Sequence, residues 1–367
     1  MTSNSFYLQL EKKLLCFFLF FFQTLRWRAK VDFEIGRQSP KLPPDKFLFQ
    51  IIRLANSPVM IVGNELVESV RDDVFSKIRS NFKVPDDFLF SNFDFENLTE
   101  GGGKGGTLLS RSSCGNFFVK ELSHSDRKSL LDGDFCERYA ERLLSHSSLL
   151  CRILTVFVRK NGKFYIGMGN SISIDVKKWD FIYDLKGSAD DKTLIKYGQS
   201  IDEVHKRFWR LDWIISEAFG KVSKKRIEYV IGKREAYTRP IFLSIPQKKE
   251  IMQMLKNDLN LFLEQGLMDY SMIVAVKQID KMCSAVESTS KFSNMHNSYR
   301  VSREGKNYII YFGIIDFLQG WTTAKKVANV IKIMFAPKPI STIQPIKYAK
   351  QFENFFENKF CTDYDIS

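Results

Sequence analysis

Gly101-Gly102-Gly103-Lys104-Gly105-Gly106, followed closely by Phe117-Phe118-Val119-Lys120, is the stretch on which the reading of this chain turns. Residues without Cβ let backbone N–H groups come close to a phosphate, and this run supplies several with no side-chain obstruction. The spacing is not that of a GxxxxGK[ST] loop, and a glycine cluster by itself equally suits a flexible connection. Phe117 to Leu122 reads as a strand of aromatic and branched residues. Its one interior cation, Lys120, either holds a phosphate beneath the loop, with Gly103, Lys104, Gly105 and Gly106 above it, or is an ordinary surface lysine on an edge strand.

Three further segments place a charge at the end of an apolar run: Asp184-Leu185-Lys186-Gly187-Ser188, Met268-Asp269-Tyr270-Ser271 and Gly313-Ile314-Ile315-Asp316. A single aspartate in such a place is usually a turn former or a helix cap. Together with the glycine loop and Lys120 they ask for a joint explanation. Phosphoryl transfer needs cations on the phosphates, a carboxylate for a metal ion and a carboxylate that orients the attacking hydroxyl.

Working outward, Glu65 to Phe82 is expected to be one helix, because Leu66, Val70, Val74, Phe75, Ile78 and Phe82 repeat at spacings of three and four. Ser125 to Leu144 is expected to be a second, lying between strands at 117–122 and 164–168. Pro246 to Gln265 is a third, opened by Pro246 and closed by Gly266. Strands are expected at Ser271 to Val276 and Tyr308 to Ile315, with the Ser-, Asn- and Lys-rich residues from Ser284 to Asn307 as a flexible loop. Strands and helices mixed in this order predict an α+β fold.

The chain has 367 residues, 44% hydrophobic and 26% charged, enough for an ample core in one large or two modest domains. Its six cysteines form no CxxC pair and its histidines number four, so neither a zinc cluster nor a disulfide framework is readable. A reducing, cytoplasmic setting follows. With 55 Lys+Arg against 42 Asp+Glu, the net charge of +13 favours a polyanionic partner, either nucleic acid or an anionic membrane. Residues 1–30 stand apart as an apolar and basic leader. Its greasy run from Leu14 to Phe22 is shorter than the roughly 20 residues of a membrane span, and it reads as an interfacial or packed segment, a leader or a targeting signal.

At this point the sequence resembles the phosphatidylinositol phosphate kinase family. The resemblance rests on Pro85-Asp86-Asp87-Phe88-Leu89-Phe90-Ser91, the glycine loop, Phe118-Val119-Lys120, the DLKGS, MDYS and IID segments in order, and Pro345 to Phe352 with Tyr348. It implies a two-lobed fold, with a β-rich N-lobe over residues 31–168, an α/β C-lobe over 169–367, and ATP in the cleft between them. It further implies that Lys120 contacts the ATP phosphates, that Met168 to Asn170 line the adenine site, that Asp316 holds Mg²⁺, that Lys186 supports the transferred phosphate and that Asp269 is the catalytic aspartate. The expected reaction is ATP-dependent phosphorylation of a membrane phosphatidylinositol monophosphate, foremost the 4-phosphate to the 4,5-bisphosphate. The alternatives are the 3-phosphate or 5-phosphate isomer, and a catalytically weak phosphoinositide-binding module. That last reading is prompted by Ala189-Asp190-Asp191, where the family commonly has basic residues.

From Phe317 to Phe352 there are six lysines and no acidic residue. Lys325, Lys326, Lys338 and Lys347, interleaved with Trp321, Met334 and Phe335, are expected to form a loop facing an anionic bilayer, which makes the protein peripheral on a membrane surface; the alternative, which Lys325 and Lys326 taken alone suit better, is a solvated helix face. A second basic cluster, Lys221 to Arg239, would serve nucleic acid only as an exposed stripe with accessible Tyr229 and Tyr237. No nucleic-acid module accompanies it, so a nucleic-acid partner is not expected.

Overall fold

The computed structural model describes residues 59–100, 108–145, 147–202, 224–280, 295–335 and 339–362. The leader at residues 1–30, the glycine loop with Gly103, Lys104, Gly105 and Gly106, and Lys338 lie outside these residues. Two antiparallel sheets organise the rest, within one compact unit from Met60 onward. Helices and strands are both abundant, and the class is α+β.

The first sheet is built by residues 59–169. Its strands are β1 (Val59–Val62), β2 (Glu65–Val70), β3 (Thr99–Glu100), β4 (Leu108–Arg111), β5 (Phe117–Glu121), β6 (Ile153–Val158) and β7 (Phe164–Gly169), in the spatial order β1-β2-β6-β7-β5-β4-β3. Helices α1 (Asp72–Asn81), α2 (His124–Leu131) and α3 (Phe135–Ser145) belong to the same half of the chain. The second sheet has the order β10-β9-β8-β12-β14-β13, from β8 (Phe181–Leu185), β9 (Lys192–Lys196), β10 (Gln199–Ser200), β12 (Ser271–Ile279), β13 (Asn297–Arg303) and β14 (Lys306–Ile315). Four helices accompany it: α4 (Lys224–Thr238), α5 (Ile245–Glu264), α6 (Thr323–Phe335) and α7 (Pro345–Lys359). A short parallel pair, β11 (Ile241–Phe242) with β15 (Phe360–Cys361), ties the end of α7 back towards α4.

The helix α5 starts where Pro246 and a Ser244/Gln247 capping box dictate, and Gly266 at φ +63° follows its end. The two sheets meet where β14 finishes. Ile314 N donates to Leu149 O at 2.7 Å and Cys151 N donates to Ile314 O at 2.8 Å, which joins the lead-in of β6 to the last residues of β14. One buried cluster, including Phe117, Leu150, Phe262, Tyr270, Phe312, Tyr348 and Phe352, runs through both halves of the chain.

Four expectations are corrected. Glu65 to Phe82 is a strand and then a helix. Val67 and Ser69 are buried in alternation along β2, and Arg71, in the left-handed region at φ 54°, turns the chain into α1. The apolar spacing that suggested one helix is satisfied by either period over so few residues. Ser125 to Leu144 is divided between α2 and α3 at Asp132-Gly133-Asp134, where Gly133 takes φ +77°. The stretch read as a loop from Ser284 to Asn307 contains β13, an edge strand with Ser298 and Ser302 exposed, paired with β14 from Asn297↔Phe312 to Arg303↔Lys306. Within the basic stretch from Phe317 to Phe352, Lys325, Lys326 and Lys332 lie on helix α6 and Lys347 and Lys350 on helix α7, not on a loop.

Candidate active site

β5 carries Lys120 to the site. Phe117 and Val119 are buried in the core while Phe118 and Lys120, on the opposite face, are only partly covered. Strand pairing sets Met168 opposite Phe118 and Ile166 opposite Lys120, so Met168 shares the face that presents the lysine. The Lys120 ammonium reaches across to the second sheet and donates to Asp316 Oδ1 at 2.6 Å. Burial disfavours the charged lysine, yet the charge and hydrogen bond of Asp316 outweigh it and hold the ammonium above its ordinary pKa. Partial loss of water around the half-exposed Asp316 raises its carboxyl, and the neighbouring cations Lys120, Lys186 and Lys192 overcome it, so the carboxyl sits below the usual range.

The second pair lies within one sheet. β8 delivers Lys186 and β12 begins just after Asp269, and because Leu185 pairs with Met272 the two residues come together past the end of the ladder. Lys186 Nζ donates to Asp269 Oδ1 at 2.9 Å and to Asp269 O at 2.7 Å. Burial opposes the charge on Lys186, and Asp269, Asp184 and Asp316 together more than offset it, holding the lysine well above its normal value. Asp269 and Asp316 both adopt left-handed backbone, at φ 63° and 56°. Ordinary side chains resist that region, and aspartate and asparagine accept it more readily. Each turn thus aims a carboxylate out of the end of a strand.

Two aspartates had no clear place in the sequence reading. Asp184 Oδ1 is buried without a hydrogen-bond partner, and burial pushes the carboxyl up while Lys186 and Lys192 pull it down and Asp316 raises it further. Asp184 and Asp316 feel each other's charge, and among the described residues no group of three or more metal-holding side chains comes together. Mg²⁺ is commonly bound through one or two carboxylates and the phosphates of its nucleotide, so Asp184 and Asp316 fit it. Asp191 is a structural acid. It is 1% exposed, and its Oδ1 accepts from Lys186 N at 2.7 Å and Ser188 N at 3.1 Å, folding the DLKGS turn around itself. Burial raises its carboxyl to about 7 despite those two bonds. The acidic pair after this turn is therefore accounted for by local folding: Asp191 binds the turn, and Asp190 accepts from Ser341 Oγ at 3.2 Å.

Asn170 is committed within its own loop. Its side chain donates to Gly115 O at 3.1 Å and accepts from Ile172 N at 3.1 Å, and its backbone N donates to Asn116 O at 2.7 Å. It shapes the connection after β7, while Met168 shares the sheet face of Lys120. Of the expected membrane lysines, Lys325 and Lys326 occupy the first turn of α6, and Lys347, exposed, the first turn of α7. The basic cluster near α4 is partly exposed and partly committed: Lys224, Arg234 and Tyr237 are exposed, and Lys221 lies outside the described residues. Arg226 is buried, Lys225 pairs with Asp202 at 2.8 Å, Arg239 with Glu235 at 2.8 Å, and Tyr237 packs on Phe355. No helix among the described residues is long and apolar enough to cross a membrane.

Comparison with known proteins gives the family. The family pattern described as Phosphatidylinositol-4-phosphate 5-Kinase matches residues 93–302 and 282–359. Among individual relatives, Phosphatidylinositol 4-phosphate 5-kinase 6 of Arabidopsis thaliana is 33% identical over 104 residues, 28% of this chain. Phosphatidylinositol 4-phosphate 5-kinase of Plasmodium falciparum is 25% identical over 286 residues, 70% of the chain. The 1-phosphatidylinositol 3-phosphate 5-kinase of Saccharomyces cerevisiae is 22% identical over 306 residues, 78% of the chain. The matches span 14%, 15% and 11% of those relatives' own lengths. With a family pattern running from Phe93 to Lys359 across both sheets and through Lys120, Lys186, Asp269 and Asp316, the chain belongs to the phosphatidylinositol phosphate kinase family.

Proposed function

We propose that this protein is a lipid kinase that transfers the γ-phosphoryl group of ATP to an inositol hydroxyl of a membrane phosphatidylinositol monophosphate, with the 4-phosphate as substrate and the 4,5-bisphosphate as product. The observation that carries the reading is the convergence of Lys120, Lys186, Asp269 and Asp316, drawn from both sheets, into two ion pairs that share an electrostatic neighbourhood. In this reading residues 31–168 form the N-lobe, 169–367 the C-lobe, and ATP lies between them with its adenine against Met168.

Both reactants are anionic, so positioning and charge neutralisation supply most of the catalysis. Lys120 exchanges its partner Asp316 for the nucleotide phosphates. Asp316, with Asp184, would hold Mg²⁺, which would supply positive charge to the nucleotide phosphates. Asp269 accepts the hydrogen of the attacking inositol hydroxyl. Lys186, held at the same carboxylate, sits where it can take up charge on the group in transfer.

Helix α6 supplies the contact with the bilayer. Asn329 and Lys332 tie its inner side to Thr342, while Val327, Val330 and Ile331 are each more than half exposed beside Lys326. An apolar stripe edged by lysines suits an anionic surface, where each basic residue contributes on the order of 1 kcal/mol. The 3-phosphate is the second substrate reading, favoured by similarity to the yeast 3-phosphate 5-kinase.

The test is transfer of labelled phosphate from ATP with Mg²⁺ to vesicles holding each monophosphate in turn. Label on the 4-phosphate, lost in Asp269→Asn, supports the reading. Label on another isomer replaces the substrate. No label on any vesicle, from protein that binds them, leaves a phosphoinositide-binding module.

A further inference from the structure

Helix α7 places Tyr348, Gln351 and Phe355 on one face, at spacings of three and four, and all three touch the turn that carries Lys186. The Tyr348 hydroxyl, on a fully buried ring, lies 2.5 Å from Tyr270 O and 3.2 Å from Lys186 O. Gln351 Nε2 donates to Gly187 O at 2.9 Å and to Ile340 O at 3.2 Å. Phe355 closes on Gly187, where a Cβ would lie 2.8 Å from the Phe355 Cβ, and Gly187 is at φ +63°.

The two carbonyls that meet the Tyr348 hydroxyl belong to the residue after Asp269 and to Lys186 itself. They lie beyond the last paired residues of β8 and β12, where the ladder no longer fixes the distance between strands. A hydroxyl has a single proton, which goes to the nearer carbonyl of Tyr270 or is shared with that of Lys186. Either way, one buried group from a distant helix spans the gap between the lysine turn and the aspartate turn.

We propose that Tyr348 is a positioning residue for the Lys186–Asp269 pair, with Gln351 and Phe355 holding the Lys186–Gly187 turn from the same helix face. This inference rests on the kinase reading only for its effect on turnover. Tyr348 touches neither Lys120 nor Asp316 in the described contacts, so its loss disturbs the transfer geometry and spares nucleotide binding.

The test is Tyr348→Phe, read by steady-state kinetics and by hydrogen exchange of the Lys186 and Ser188 amides, both bonded to Asp191. Phe356→Leu serves as the comparison, because Phe356 packs on Phe352, Phe355 and Phe360 of the same helix and its end and makes no bond to either turn. The expected result for Tyr348→Phe is at least tenfold faster exchange at those two amides and a tenfold or greater fall in kcat, with the KM for ATP within twofold. Phe356→Leu is expected to lower the melting temperature at least as far while leaving exchange and kcat within twofold. Unchanged exchange in Tyr348→Phe overturns the proposal, as does kcat within twofold of the parent, or the same acceleration in Phe356→Leu. If the parent protein transfers no phosphate to any monophosphate, the kinase reading falls, and the exchange comparison still decides whether Tyr348 sets the two turns.

Discussion

The two lysine–aspartate pairs are built differently. Lys120 and Asp316 come from separate sheets, and the aspartate side chain is 52% exposed. Lys186 and Asp269 leave neighbouring strands of one sheet, their side chains are 18% and 22% exposed, and the turns bearing them are bonded to Asp191 from below and to Tyr348 from behind. The first pair is an arrangement that an incoming polyanion can take over. The second is set before any reactant arrives. A kinase has use for both: an adjustable grip on the nucleotide, and a fixed relation between the groups that meet the reacting oxygens.

Replacing one member of each pair separates these roles. Asp269→Asn is expected to lower kcat by about a thousandfold or more while ATP and vesicle binding stay within about threefold, because it removes a group that acts on the transition state. Equal losses in binding and turnover would break the comparison. Lys120→Met is expected to weaken ATP binding by at least about tenfold and to lower kcat/KM by about a hundredfold, which equilibrium binding of ATP checks directly. An unaltered ATP affinity would mean that Lys120 is merely a tether for Asp316.

A smaller effect is expected away from both pairs. Val330→Asp, on the exposed stripe of α6, should weaken binding to anionic vesicles by about tenfold through lost apolar contact and added like charge, with ATP affinity within about twofold. A change in ATP affinity would show that α6 belongs to the cleft and not to the bilayer.

The smallest effect concerns the support of the fixed pair. The Asp191 carboxyl titrates at about 7 when folded and near 3.8 otherwise, so between those values the folded protein binds the extra proton. The contribution of Asp191 to stability is therefore greatest in acid, falls as pH rises from about 4 to about 7, and is level above that. Asp191→Asn should flatten this part of the melting profile, removing the fall in melting temperature between about pH 4 and about pH 7. A wild-type profile with no fall in that window would contradict it.

That Lys120, Lys186, Asp269 and Asp316 belong together was legible because each charge stands in or at the end of an apolar run, and the fold pairs them. Lys120 within an apolar strand, and Asp269 and Asp316 at the ends of apolar runs, look alike in sequence and in space. What stayed hidden has physical reasons. Tyr348 and Phe355 have the spacing of ordinary core residues, and only the fold shows one of them bonded to the Lys186 turn and the other packed on it. Asp190 and Asp191 look like a loss of positive charge at a phosphate turn, and a buried carboxylate that binds backbone N–H groups is not distinguishable from an exposed one by residue type. β13 has the polar composition of a loop because it is an edge strand, and the split of Glu65 to Phe82 depends on Arg71 adopting a backbone region that arginine rarely enters.

The left-handed backbone at Asp269 and Asp316 decides how inactive variants should be interpreted. At these two positions alanine carries a conformational penalty of about 1–2 kcal/mol in addition to the missing charge, whereas asparagine largely keeps the turn and glycine releases it from strain. A silent alanine variant here mixes a displaced turn with an absent carboxylate. Asparagine and glycine, taken side by side, form the informative pair: one preserves the shape without the charge, the other frees the backbone without offering any group at all.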